Sequence, residues 1–374
     1  MNNIYRQLQK HLDKLPVGFP PTKSGVEIDI LKILFSKIEA KIALCLSLND
    51  SSIKKIQKRM EKKFGKKMTF NKLEKMLDKL FMEGSINRNV KKNKKYYSNA
   101  MLVIGMFEFH VDNLSKTFVE KMHQYLDEGF KDEYFKSELP QLRTSPHIDA
   151  VAEQHKIETY DNMIKYVKNT NKNIYVANCV CKQGAELLGE PCKRVDNIEV
   201  CLMFNQNNYV ERNQARKITK KKCLKILDYA EESGLVIQPG NTREPFCICL
   251  CCGCCCEVLT TAKKYKKPAE LFSTNYYASL DKSKCTGCRL CVDRCQIDAI
   301  TVKSKKAEIN HDRCIGCGLC VTKCPQNAIK LIKKDDITVP PKNIISLYLK
   351  ILKNKVGKKK MILKMLKMLF GKQL

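Results

Sequence analysis

Two runs of four cysteines constrain this chain more than any other feature of its sequence. The first run is Cys285-x2-Cys288-x2-Cys291-x3-Cys295, and 29 residues later comes Cys314-x2-Cys317-x2-Cys320-x3-Cys324. Flanking residues recur as well: Cys-Thr-Gly-Cys is matched by Cys-Ile-Gly-Cys, and Asp-Ala-Ile by Asn-Ala-Ile. The match indicates an internal duplication, so the fold has to place eight thiols in two equivalent arrangements.

The spacing within each run fits a [4Fe–4S] cubane. Two-residue gaps let a loop wrap one cubane with three thiolates, while the fourth cysteine begins a helix and points to the neighbouring cluster. The sequence therefore predicts two [4Fe–4S] clusters with crossed ligand sets, namely Cys285, Cys288, Cys291 and Cys324 for the first, and Cys314, Cys317, Cys320 and Cys295 for the second. Zinc is disfavoured because its structural sites use paired Cys-x2-Cys knuckles without a third, crossed cysteine.

From Tyr276 to Ile332 the chain resembles the bacterial-type two-cluster ferredoxins. The resemblance implies a ferredoxin-like fold and low-potential, one-electron carrier clusters. Gln296 stands where the first motif of that family has proline, whereas Pro325 keeps the pattern in the second. Because this proline shapes a turn and binds no iron, the glutamine is expected to leave cluster assembly intact and to affect the potential or solvent access slightly.

The use of cysteine predicts a cytoplasmic protein. Met1 to Leu15 contains no continuous apolar segment of the kind found in secretory signals, and no run approaches the ~18 apolar residues of a spanning helix. In a reducing compartment thiols stay reduced, so the 21 cysteines are expected to bind metals or to remain free thiols.

Besides Cys223, eleven further cysteines lie between residues 174 and 256, and the sequence leaves their role open. One interpretation is a third iron–sulfur cluster bound by Cys179, Cys181, Cys192 and Cys201 and completed by the run from Cys249 to Cys256. The alternatives are a structural zinc site and buried thiols without metal. Adjacent cysteines point in different directions, so the eleven are not expected to serve one metal. Cys45 and Cys223 are predicted to be core thiols.

The first 110 residues resemble a winged helix-turn-helix domain. Ser51 or Ser52 is expected to cap one amphipathic helix and Thr69 a second, and residues 85–97 have the pattern of a hairpin with a polar turn. Between Lys54 and Lys95, 16 basic residues stand against 4 acidic ones. A DNA-binding domain would turn Asn71, Lys72, Lys75 and Lys79 toward a groove. A module for packing or for binding a partner is favoured because Arg88 is the only arginine near the candidate wing.

From Lys342 to the last residue the chain carries ten lysines and no acidic residue, interspersed with apolar side chains. This pattern predicts a basic amphipathic helix that docks on a membrane surface or a partner, with packing on its own protein as the alternative. His110, His123, His147 and His155 show no metal-like spacing and are predicted to be structural.

These observations predict an α+β multidomain protein. The expected parts are a winged-helix-like domain (1–110), a helical connector (111–170), a Cys-rich middle domain (171–275), a two-cluster ferredoxin domain (276–332) and a basic helical tail (333–374).

Over most of its length the chain resembles a family of anaerobic bacteria and archaea whose members are described as 4Fe–4S binding proteins. We expect an electron carrier, or an electron-transfer subunit of an anaerobic oxidoreductase, that works with a redox partner protein. The sequence has no phosphate-binding loop or hydrolase triad that would indicate a self-contained enzyme. The alternatives are a redox-sensing DNA-binding regulator and a reductase with a third cluster.

Overall fold

The computed structural model describes residues 3–65, 67–147, 150–151 and 158–357. The chain divides into two compact units that interleave in sequence. The first unit comprises Met1–Glu138, Asn207–Asn213 and Tyr348–Leu374, and the second comprises Leu139–Gln206 and Gln214–Leu347. The cysteine-rich middle region and the duplicated motif both lie in the second unit.

The first unit is mainly helical. Its elements up to residue 138 are α1 (Ile4–Leu12), α2 (Val26–Leu34), α3 (Lys37–Ala43), β1 (Ser51–Ser52), α4 (Ile53–Phe64), α5 (Phe70–Met82), β2 (Ile86–Lys91), β3 (Lys94–Asn99), α6 (Lys116–Tyr125) and α7 (Lys131–Phe135). The side chains of Ser52 and Thr69 cap α4 and α5, as the sequence predicts. Strands β2 and β3 form the predicted hairpin, and β1 pairs with the outer side of β3.

The second unit contains a five-stranded antiparallel sheet with the order β6-β4-β5-β8-β7. The elements from residue 163 to 263, including α10 of the first unit, are α8 (Met163–Asn169), β4 (Ile174–Ala177), α9 (Val180–Leu187), β5 (Cys201–Phe204), α10 (Asn207–Glu211), β6 (Ala215–Ile218), α11 (Lys220–Ser233), β7 (Val236–Pro239), β8 (Cys247–Cys251) and α12 (Glu257–Lys263). Helix α11 starts at the Thr219 cap and ends at Gly234, whose φ is +76°. Its buried face, including Cys223, packs with the sheet into one core.

The duplicated segment folds with an exchange of strands between its two repeats. Its elements are β9 (Tyr276–Leu280), α13 (Leu290–Arg294), β10 (Ile300–Lys303), β11 (Lys306–Ile309) and β12 (Ile329–Lys333). The first strand pairs with the last, and β10 pairs with β11, both in antiparallel fashion. Each pair therefore takes one strand from each repeat.

The last described helix is α14 (Ile344–Val356). Ile351 and Leu352 are buried, and the Lys355 ammonium lies 2.5 Å from the Glu133 carboxylate within the first unit. Residues 358–374 of the predicted basic tail lie outside the described residues, so its docking on a membrane or a partner stays a prediction. Among the helices that the structure describes, none combines the length and the apolar character needed to cross a bilayer.

Candidate iron–sulfur and metal centres

The duplicated motif surrounds two similar cavities. The first cavity is lined by Cys285, Cys288, Cys291 and Cys324, and the second by Cys295, Cys314, Cys317 and Cys320. These are the two groups of four cysteines that the spacing assigns to the two predicted clusters, and their binding of iron stays a prediction. Both walls are otherwise mainly apolar, with Leu280 and Ile329 at the first and Ala278 and Leu331 at the second.

Backbone N–H groups reach the thiols in the same crossed manner. The Ala307 N–H donates to the Cys285 sulfur over 3.3 Å, and the Ala278 N–H donates to the Cys314 sulfur over 3.4 Å. Ala278 and Ala307 are 29 residues apart and so occupy equivalent positions in the two repeats. Each donates to a cysteine of the other repeat. The bond from Ala307 lowers the pKa of Cys285, so this arrangement favours thiolates that bind iron.

Two glycines allow the cysteine loops to pass close to the opposite repeat. Gly287 and Gly316 have φ values of +71° and +66°. A Cβ at these positions would lie 2.4 Å from the Lys305 carbonyl oxygen and 2.2 Å from that of Tyr276, respectively. Any side chain would therefore push the loop away from the neighbouring strand.

The two cavities differ in their exposure to solvent. At the first, Thr286, Cys288 and Arg289 are exposed, and Leu290 has 48% of its surface accessible. At the second, the equivalent Leu319 is fully buried, and burial raises the pKa of Cys317 to about 12. The segment that ends at His147 covers this second loop, since the His147 N–H donates to the Cys317 carbonyl oxygen over 3.0 Å.

Gln296, the departure from the ferredoxin pattern, connects the second cavity to the middle cysteines. Its side chain is 4% exposed. The amide oxygen accepts a hydrogen bond from the Gly253 N–H over 2.9 Å, and the amide nitrogen donates to the Arg294 carbonyl oxygen over 3.2 Å. Gly253 lies in the middle of the run Cys251-Cys252-Gly253-Cys254-Cys255-Cys256, so the residue after Cys295 holds this loop in place.

The middle cysteines separate into two groups, of which the first contains Cys192, Cys252, Cys254 and Cys255. Their sulfur atoms all lie within 4.8 Å of one another. The buried Lys182 ammonium lies 3.1 Å from the Cys192 sulfur and 2.9 Å from the Cys252 sulfur. Hydrogen bonds from Cys252, Cys254 and Cys255 lower the pKa of Cys192. We call this group the four-thiol site.

The second group forms a connected row of thiols, and we call it the thiol row. It consists of Cys179, Cys181, Cys201, Cys247, Cys249, Cys251 and Cys256. Cys249 pairs across the sheet with Cys201, and Cys251 shares its face of β8 because alternate residues of a strand point the same way. Thiol hydrogen bonds from Cys201, Cys247 and Cys251 lower the pKa of Cys249, and those from Cys181 and Cys251 lower that of Cys256.

The structure therefore divides the set proposed for a third cluster. Cys179, Cys181 and Cys201 lie in the thiol row, whereas Cys192 belongs to the four-thiol site. The run of adjacent cysteines is split where β8 ends, with Cys251 in one group and Cys252 in the other. The pairing of β5 with β8, which joins Cys201 to Cys249 across 48 residues of sequence, creates this division.

The remaining thiols and histidines have structural surroundings. Cys45 and Cys223 are fully buried in apolar cores, as predicted. His110 bonds the Met106 carbonyl oxygen over 2.6 Å, and His147 bonds that of Leu235 over 2.9 Å. His123 lies on α6, and His155 lies outside the described residues.

Several basic side chains of the β2–β3 hairpin are engaged with acidic ones. Lys95 lies 2.6 Å from Asp78 and 3.2 Å from Glu74. Arg88 also pairs with Asp78, at 2.6 Å, and Lys91 with Asp50, at 2.9 Å. On α5, Asn71, Lys72 and Lys75 are exposed, whereas Lys79 forms an ion pair with Glu39 at 2.8 Å.

Residues 278–331 match the family model described as a 4Fe-4S dicluster domain. No curated protein matches the chain, and no solved structure does. The matched residues include all eight cysteines of the two cavities. This part of the chain is therefore an iron–sulfur domain, similar to the 4Fe–4S dicluster family.

Proposed function

We propose that the protein is a cytoplasmic electron carrier, or an electron-transfer subunit of an oxidoreductase, with two [4Fe–4S] clusters in crossed ligand sets. The observation that carries the proposal is the pair of equivalent cavities, each surrounded by four thiols from both repeats. Bound there, [4Fe–4S] clusters supply one-electron oxidation and reduction. The chain's own residues hold the clusters, donate hydrogen bonds to their thiolates and limit the access of water.

The difference in exposure indicates where a redox partner would approach. The loop around Cys288 is open to solvent and carries the exposed Leu290, whereas the loop around Cys317 is covered. A partner that docks on the first loop would come closest to the first cavity. The second cavity, linked through Gln296 to the Cys-rich loop, then lies between the partner and the middle cysteines.

A reductase with a third cluster is the second candidate, and the thiol row supports it. Seven connected thiols offer more ligands than a cubane needs, and Cys179 and Cys256 are the N-cap residues of α9 and α12, where helix N-termini favour thiolates. We place the proposed third iron–sulfur cluster in this row. Analysis of protein purified without oxygen separates the two candidates: two cubanes give about eight sulfides per chain, and three give about twelve.

Paired substitutions test the crossed ligand sets. Removing Cys295 and Cys320 together takes two ligands from one predicted cluster, so C295A/C320A is expected to lose about four irons and four sulfides per chain. C291A/C295A removes one ligand from each predicted cluster and is expected to lose about eight irons and eight sulfides per chain. The reverse order of losses would show that each repeat binds its own cluster. C45A, which removes a core thiol, is the control.

We propose that the winged-helix-like region binds a protein partner and not DNA. The β1-β3-β2 sheet behind α4 and α5 supports the winged-helix interpretation, while the ion pairs of Arg88, Lys91 and Lys95 neutralise much of its hairpin. The purified holoprotein is expected to show no salt-dependent retention on duplex DNA. Tight, sequence-selective binding that is lost on oxidation would favour a redox-sensing regulator instead.

A further inference from the structure

The four-thiol site has the dimensions of a single-ion centre. Its sulfur–sulfur distances include 3.6 Å between Cys192 and Cys252, 4.0 Å between Cys192 and Cys254, and 3.4 Å between Cys254 and each of Cys252 and Cys255. A tetrahedral ion with metal–sulfur bonds of about 2.3 Å separates its ligands by about 3.8 Å. In a cubane the four cysteines bind four different irons, so their sulfurs stand further apart.

The same comparison distinguishes this site from the ferredoxin cavities. In the part of the chain that the structure describes, it is the only group of three or more potential metal ligands whose atoms all lie within 4.8 Å of one another. The eight cysteines of the two cavities do not meet this limit, although they line their cavities in fours.

The surroundings provide the positive charge and the hydrogen bonds that a tetrathiolate centre needs. Four thiolates around a divalent ion carry a net charge of −2, and the Lys182 ammonium, 2% exposed, contacts two of them. The backbone N–H groups of Arg194 and Lys193 donate to the sulfurs of Cys192 and Cys254. Such bonds around the ligands orient them and stabilise their charge.

The loop that supplies three of the four thiols is held in place. Cys252, Cys254 and Cys255 come from the turn between β8 and α12, and Cys192 from the loop after α9. Gly253 leaves no room for a side chain, since a Cβ there would lie 2.2 Å from the Gln296 carbonyl oxygen. The site is thus positioned by the sheet on one side and by the ferredoxin segment on the other.

We propose that Cys192, Cys252, Cys254 and Cys255 bind one tetrahedral metal ion, zinc or mononuclear iron, as a centre separate from the ferredoxin clusters. Tetrahedral four-sulfur geometry suits both metals. The inference does not depend on the proposed electron transfer, because it concerns a ligand set that shares no cysteine with the two cavities.

Metal and sulfide analysis of the full chain, purified without oxygen, tests the proposal. The wild-type protein is expected to contain one zinc per chain, or one iron more than its sulfide. C192S should lose that one ion and keep all its sulfide, whereas C223S, which removes a core thiol of the same unit, should keep both. Loss of about four irons together with four sulfides from C192S would show a cubane and overturn the proposal. A wild-type protein with no zinc and equal iron and sulfide would overturn it too.

Spectroscopy of the wild-type protein covers the case in which C192S does not fold. If the ion is zinc, absorption at the zinc edge is expected to show four sulfur neighbours at about 2.3 Å. If it is iron, the Mössbauer spectrum is expected to show a mononuclear component beside the clusters. Nitrogen or oxygen neighbours around zinc, or a spectrum of clusters alone without zinc, would contradict the assignment. Too little sulfide for two cubanes would instead count against the proposed carrier.

Discussion

At the scale of single residues, Gln296 shows how a departure from a family pattern acquires a local explanation. The family pattern places proline there, and proline has no side-chain amide to bond a neighbouring loop. Gln296 occupies a buried position between the second cavity and the four-thiol site, and both ends of its amide have partners. The sequence identifies the departure but not the partner, because Gly253 is 43 residues away.

Q296A is expected to destabilise the second unit by about 1–2 kcal/mol, because the Gly253 N–H and the Arg294 carbonyl oxygen each lose a hydrogen bond. Urea unfolding followed by far-UV circular dichroism measures the change. The control is Q326A, which removes an exposed glutamine near the equivalent place in the second motif and should leave the midpoint unchanged. Equal midpoints for the two variants would contradict the role of Gln296.

Gly316 offers a second test at this scale. G316A places a Cβ 2.2 Å from the Tyr276 carbonyl oxygen at a φ of +66°, so we expect the loop to move and about four irons per chain to be lost. G189A is the matched control, because Gly189 has a φ of +82° but nothing within 4 Å of the added methyl group. If both variants keep their iron, cluster binding does not require the close approach of Gly316 to the Tyr276 backbone.

At the scale of elements, the features that the sequence predicts well are those encoded by neighbouring residues. The capped helices α4, α5 and α11 and the β2–β3 hairpin follow from caps, spacing and turn residues. The division of the middle cysteines into two groups depends on the pairing of β5 with β8 and on the bond between Gly253 and Gln296. Residues far apart in the sequence make both contacts, so local sequence patterns do not predict the division. The crossed grouping of the eight cysteines around two cavities is predictable because the two repeats have the same spacing.

Asp78 joins helix α5 to the hairpin, and its removal is expected to loosen both. Its carboxylate accepts hydrogen bonds from Lys95, Arg88 and Tyr97. Burial alone would raise the pKa of Asp78, but these bonds hold it below the ordinary value. The stabilisation is therefore complete above pH about 4 and is lost as the pH falls through the lowered pKa.

D78N is expected to cost the first unit about 1–3 kcal/mol at neutral pH. Hydrogen exchange should become faster in the amides of β2 and β3. The control is D29N. Asp29 pairs with Lys32 and is more exposed than Asp78, so this variant should leave the exchange rates of the hairpin amides unchanged. Unchanged exchange in D78N would mean that packing alone holds the hairpin.

At the scale of the whole molecule, the protein is strongly basic, and the loop at the first cavity is both basic and exposed to solvent. The formal net charge is +30, and two cubanes with their thiolates lower it only to about +26. The exposed loop at the first cavity is flanked by Lys282, Lys284 and Arg289, all open to solvent. A negatively charged redox partner would therefore be drawn to the molecule and would find lysines around the accessible cavity.

We expect the reduced protein to react faster with ferricyanide, a small anion, at low than at high ionic strength. K284E should lower the low-salt rate by about two- to fivefold. K217E reverses the charge of an exposed lysine on β6 and should have a smaller effect if electrons leave near Cys288. Equal slowing by both variants, measured by stopped flow, would show that only the net charge matters.

The exchange of strands also bears on the history of the duplicated segment. Because β9 pairs with β12 and β10 with β11, a single repeat has a partner for neither of its own strands. Deleting one repeat would expose two strand edges and open both cavities at once. A single repeat would therefore need a second copy of itself before its strands had partners, and a chain that carries both repeats supplies that copy within one molecule. The two repeats therefore depend on each other: a change that separates β9 from β12 or β10 from β11 is expected to disturb both cavities.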